Sequence, residues 1–388
     1  MIDWRAAVTG ILRDMTLTRW VSALGLLLAL GCAAPAGRRD LPAAGATAAD
    51  TNDRAFVYVG LAGGELALFH LDAAAGTLSR RGTVSAGRAP SSLCRSVERE
   101  TLVALDEATG QAASFSINAK SGALTPVGRA ATGGAPSQGA TLDDTGKYVI
   151  AALPRAGRVS VTAITSNGGL APIDTFAAGV GAHAVGIHPS LQVVFVSNFR
   201  AGTVSQYTFN VGTGMLTPKP GPPLALPTGS GPTRLVSHPS GRWVYLLDEG
   251  TDSIAVHAFD EDVKSLSPIS LQLVSTLPEG GARGKSRPND LVVSPTGRFL
   301  YATNRGPDDV AAFAIGPGGT LEPVGREPSG GRAPGALTVD PSGRILLVAN
   351  EGGKSLAVFH IDPGTGALGG RRLVSLAGAP LSVLAVRP

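Results

Sequence analysis

The chain has 388 residues, 43% hydrophobic and 16% charged, with 52 glycines, 28 prolines and a formal net charge of +4. That much glycine and proline excludes a helical bundle or helical solenoid, because interior Gly costs about 1 kcal/mol and interior Pro about 3. The low charge and abundant Val and Leu exclude disorder, and scattered Lys and Arg with no basic block exclude a nucleic-acid surface. A large, turn-rich, all-β protein remains.

The elements begin with a leader. Residues 21–30 (VSALGLLLAL) form an apolar run behind Arg13 and Arg19. The run is too short to span a bilayer as a helix but fits the apolar core of a signal peptide. Ala29-Leu30-Gly31-Cys32 follows and resembles a bacterial lipobox, with Cys32 as the lipidated residue. Ala29 and Leu30 depart from the usual order of that motif, so cleavage within Ala33–Gly37 stands as the alternative, and Met15 is a second candidate start. The reading is a lipoprotein-type signal peptide over residues 1–31, a flexible tether over 32–52 and the folded domain over 53–388. It implies an exported, periplasmic or cell-envelope protein that meets the membrane only through its lipid anchor. Lipidation would leave Cys94 alone, so no intrachain disulfide is expected.

A unit of about 47 residues then recurs. Its template is a Pro-led apolar strand, a P-x-G turn, a strand ending in Asn or Asp, a third strand, a turn and a last strand. Pro334, Pro288, Pro232 and His183 open clear copies, and Pro136 and Pro90 open weaker ones. A seventh unit is split. Residues 55–86 lack its first strand, and Pro380–Pro388 supply a lone one. The expectation is a seven-bladed β-propeller of four-stranded blades, with the first blade closed by the C-terminal strand.

Comparing the copies separates scaffold from site. Asp106, Asn198, Asp248, Asn304 and Asn350 end second strands and are expected to bond the following turn. His188 and His238 are expected to be turn residues on the face away from the site. His70, His257 and His360 are assigned to packing in third strands. First strands begin and second strands end at the same mouth of the channel. The residues after the second strands are Glu107, Pro154, Phe199, Glu249, Arg305 and Glu351. Those around the leading proline are Ser91, Ser92, Ser137, Gln138, His183, Thr233, Arg234, Asn289, Asp290, Gly335, Ala336 and Ser382. These vary between copies, and His183 replaces the leading proline itself.

The stretches GPTRLVSHPSGRWVYLLDE and SPTGRFLYATNRG carry a resemblance to the lactonase family of seven-bladed propellers, which includes propeller-type 6-phosphogluconolactonases and carboxy-muconate cyclase. The resemblance covers roughly residues 54–388. It implies His183, Glu249 and Arg305 as catalytic residues, with Thr233, Arg234 and Asp290 on the substrate. Two positions depart from the family pattern: Thr233 and Gly335 stand where arginines are usual. In an extended strand Arg234 points opposite to residue 233, so it is not expected to replace the lost charge. His183 or Glu249 would activate water, and Arg305 would hold the oxyanion or a substrate carboxylate. The implied partner is a small-molecule lactone or sugar acid, handled by a monomer with no cofactor and no metal. Two rivals stand beside this reading. One is a non-catalytic envelope propeller that presents the same face to a protein or glycan. The other is a metal-dependent six-bladed lactonase, against which seven units argue.

Overall fold

The computed structural model describes residues 54–135, 139–278 and 286–387, and contains no α-helix among them. The leader, the tether and Cys32 lie outside the described residues, as do Pro136, Ser137 and Gln138. Each repeat forms one antiparallel sheet because its strands are short apolar runs separated by turn residues. The second strands Thr101–Asp106, Tyr148–Leu153, Val193–Asn198 and Ile345–Asn350 are buried at every position. Burial on both faces follows from packing between neighbouring blades.

Seven sheets result, and the ring closes as expected. The strand Pro380–Val386 pairs with Arg54–Leu61, setting Val57 opposite Ala385 and Val59 opposite Val383. In blade three the first strand is only Thr141–Leu142. In blade four the outer strand is broken into Leu216–Pro218 and Leu224–Ala225, both paired with Thr203–Phe209. Prolines at 218, 220, 222 and 223 account for the break, since each removes a backbone donor.

The core is a circle of inter-blade clusters. One joins Tyr245, Leu247 and Val256 of blade five to Leu300, Ala311 and Phe313 of blade six. Second-strand tyrosines stitch adjacent blades: the hydroxyls of Tyr58, Tyr245 and Tyr301 donate to the carbonyls of Gly122, Gly319 and Gly366. Those glycines have φ of +70°, +78° and +78°. A Cβ there would press on Phe56, Trp243 and Phe299. The turns need glycine for both reasons.

The aspartates that end second strands behave as expected. Asp106 accepts from the backbone of Ala108 and Thr109, and also from Arg88 and Ala89 of the preceding loop. The asparagines do something else. The Asn198 amide donates to Thr203 and Ser205, and the Asn304 amide to Asp309 and the Thr276 carbonyl. An amide can donate where a carboxylate cannot, so Asn ties the second strand to the third. Cys94 is free and buried, and burial pushes its thiol up to about 12, which leaves it inert.

Candidate active site

The starts of the first strands converge on the channel and line a cavity of about 240 Å³. Ser91, Ser92, His183, Thr233, Arg234, Asn289, Asp290, Ala336 and Ser382 all contribute to its wall. A backbone device aims them. In blades two, four, five, six and seven the register shifts just after the leading residue, as between Pro232 and Arg234. Such bulges re-aim side chains near the ends of strands.

Ala182 pairs with Asn198 as Pro232 pairs with Asp248, so Ala182 holds the leading proline's place and His183, contrary to the expectation above, takes the position of Thr233. His183 sits at this wall, its ring 5.8 Å from that of Phe199. Its Nδ1 lies 2.8 Å from the carbonyl oxygen of Thr233 in blade five. A carbonyl only accepts, so Nδ1 carries the proton and Nε2 is the lone-pair nitrogen. Burial holds the His183 imidazole below its usual range, and the Arg234 charge acts in the same direction. The ring is therefore neutral and basic at Nε2 near pH 7.

Thr233 and Arg234 do point to opposite sides. The Thr233 hydroxyl turns into the sheet and donates to the Leu247 carbonyl at 3.3 Å. Arg234 turns into the channel, so a guanidinium is present there after all, contrary to the expectation above. Its Nε lies 2.8 Å from Asp290 Oδ1 in blade six. Asp290 is buried and also accepts from the backbone nitrogens of Leu291 and Leu337. Burial pushes its carboxyl up, while Arg234 and those amides pull the other way. Asp290 thus anchors Arg234 across one blade junction and is itself tied to blade seven across the next.

Glu249 and Arg305 stand elsewhere. Glu249 follows its second strand and Arg305 ends its own, both at the rim, and neither lines the cavity. Glu249 lies 4.0 Å from the exposed Arg287, and burial pushes its carboxyl up against the opposing pull of Arg287 and Arg305. Arg305 Nη2 donates to Glu351 Oε2 at 2.7 Å. The structure therefore gathers His183, Thr233, Arg234 and Asp290, and sets Glu249 and Arg305 in an outer tier. Asn289 and Glu351 belong to this mouth although the family pattern does not mark them. Their positions next to the leading proline and after the second strand are the signal that finds them.

The remaining histidines are structural, as expected, and some also link blades. His188 Nε2 meets the Gly241 carbonyl at 2.6 Å and its Nδ1 meets Ser190. His238 repeats the pattern one blade on, against Gly297 and Ser240. His70 and His257 bond the carbonyls of Ser121 and Ser267. His360 packs against Gly76.

Fold and mouth together define a seven-bladed propeller with a channel cavity of mixed polar and apolar lining, sized for a small molecule. The chain belongs to the lactonase family of seven-bladed β-propellers, whose family model matches residues 56–384. Among solved structures, it resembles the periplasmic gluconolactonase of Pseudomonas aeruginosa at 26% identity and a TM-score of 0.77, covering 86% of this chain and all of that one. A 6-phosphogluconolactonase of Erwinia tasmaniensis is 26% identical over 189 residues, 48% of this chain and 56% of the relative. The Bacillus subtilis 6-phosphogluconolactonase is 26% identical over 186 residues, 45% of this chain and 51% of the relative. The chain thus spans about half the length of these curated relatives.

Proposed function

We propose that this propeller hydrolyses a sugar lactone in the channel cavity, with His183 as general base and Arg234 as the oxyanion-stabilising group. The carrying observation is the His183 Nδ1 to Thr233 carbonyl bond, which sets the base tautomer beside a carboxylate-anchored guanidinium. His183 Nε2 takes a proton from water as the water oxygen bonds to the lactone carbonyl carbon. The carbonyl oxygen gains negative charge, which Arg234 meets with its N–H groups. Collapse breaks the ring C–O bond. The proton on Nε2 passes to the leaving oxygen, and an open-chain hydroxy acid is released. Glu249, at the rim, acts on approach of the substrate rather than on the reacting atoms. The lactonase names of the relatives support this reading.

Purified protein should hydrolyse at least one aldonolactone in a pH-stat assay. His183→Ala should fall to the buffer rate, and Glu249→Gln should retain turnover. Rates equal to buffer across a lactone panel would overturn the reading.

Export is part of the same proposal. Residues 1–31 act as a lipoprotein-type leader, Cys32 carries the lipid, and residues 32–52 tether the propeller to the envelope. The periplasmic setting of the Pseudomonas aeruginosa relative supports a location outside the cytoplasm.

A further inference from the structure

The outer strand of blade five lacks a protection that the other blades carry. An outermost strand leaves one row of backbone N–H and C=O groups unpaired, and proteins blunt such edges with charge, proline or short strands. Arg80, Arg129, Asp174, Arg326 and Arg372 stand on the outer strands of blades one, two, three, six and seven. Blade four breaks its outer strand into two short pieces. The outer strand of blade five, Ser265–Ser275, runs for 11 residues without a charge, and its one proline, Pro268, precedes an uninterrupted stretch over residues 269–275. Among the described residues nothing pairs with its outer side.

The side chains add to this exposure. Ile269, Leu271 and Leu273 are 76%, 53% and 60% exposed. Gln272 bonds the Leu321 backbone, and Val274 packs into the cluster shared with blade six. Leu273 lies between them in an alternating strand and so faces the other flank, where blade four has no continuous outer strand to cover it.

The edge narrows the choice of occupant. Lipid could cover the leucines but would leave the backbone row unmatched, because hydrocarbon offers no hydrogen-bond partner. A charged peptide finds no opposite charge on residues 265–275. An uncharged, leucine-rich strand suits both the backbone row and the side chains, and this chain carries one. Antiparallel pairing about a twofold axis sets residues 269–275 against the same residues of a second copy. The turn holding the Lys264–Glu261 pair then lies toward the Ser275 end of the second copy, where residues 275–278 are uncharged, so no like charges meet.

We infer that the outer strand of blade five is a self-association edge, through which two copies join their blade-five sheets into one continuous sheet. This departs from the monomer expected above and is independent of the hydrolase reading. Its size sets its strength. Residues 269–275 span about 24 Å, and the edge is about 10 Å wide. That is on the order of 240 Å² per copy, against about 800 Å² in a stable interface, so the dimer is weak and reversible.

Sedimentation equilibrium of the purified full chain tests the edge. Wild type should move from one chain mass towards two as its concentration rises from about 1 to about 200 µM, as for a Kd of about 10–100 µM. Leu273→Lys should weaken association at least about tenfold. Leu373→Lys, on the outer strand of blade seven, should leave it unchanged. Hydrogen exchange on wild type reads the backbone directly: amides within residues 269–275 should gain protection as concentration rises. A single chain mass at every concentration would overturn the proposal, and so would a dimer without that protection or one that Leu273→Lys leaves intact. Wild type that stays monomeric yet binds phospholipid vesicles through Leu273 would give the edge to lipid and equally overturn it.

Discussion

His183 lies near the start of the first strand of blade four, Ala182–Ile187, His188 follows its end, and both reach for a backbone carbonyl in blade five. Their surroundings divide them. His188 has both ring nitrogens committed, to Gly241 and Ser190, and its ring is stacked on Phe259 at 3.7 Å. It is a clasp between blades. His183 makes a similar clasp to Thr233, but its ring stands at the wall of a cavity beside Arg234 and Asp290. The same residue type sits inside an interblade contact at one end and at a cavity wall at the other.

The comparison breaks most sharply on His183→Ala. Its kcat should fall by about 10²- to 10⁴-fold, the range of general-base catalysis, an effect far larger than the stability lost with its one clasp to the Thr233 carbonyl. Stopped assays at saturating lactone and a thermal melt check both halves. Arg234→Ala should cost about 10²- to 10³-fold in kcat if the guanidinium meets the oxyanion. A loss confined to KM would instead place Arg234 in ground-state binding. His188→Ala should invert the pattern, keeping kcat and losing about 1–3 kcal/mol in denaturant titration, because the Gly241 carbonyl is left buried and unmatched.

The smallest effect concerns pH. Burial holds both imidazoles below their ordinary pKa of about 6.5. The acidic limb of kcat/KM should therefore fall below pH 6.5, since His183 remains a base where an exposed histidine has already protonated. For stability, the unfolded chain takes up protons near 6.5 while folded His188 resists them. Stability is then full above that pH and declines as pH falls through the folded pKa. In His188→Ala that decline should be shallower.

The ring of blades was legible because a 47-residue period, a split seventh unit and recurring turn residues all point to one closed architecture. The cavity wall was legible for a similar reason. Residues around each leading proline lie at the channel, and those within the described residues line the cavity, apart from Gly335, which has no side chain. What escaped was local. An extended strand predicts that Arg234 and residue 233 oppose each other, which is right, but not which of them faces inward. A bulge after the leading residue decides that, and it has no sequence signature in Pro-Thr-Arg. Gly335 reads as a missing arginine in the sequence, yet in space Arg305 lies over its position. Glu249 and Arg305 share a repeat position with each other and not with His183, but the repeat places both positions at one mouth and does not separate rim from wall.

Ring closure also bears on when the site comes into being. Ser382, Val383 and Leu384 form part of the cavity wall, and the Ser382 hydroxyl donates to the Pro90 carbonyl at 2.7 Å. These residues belong to the strand that leaves the ribosome after every other described strand, yet it pairs with the earliest one. Six blades can form before that strand is available, but the binding chamber stays open on one side until it pairs. The cavity wall is therefore whole only when the two ends of the described chain have met.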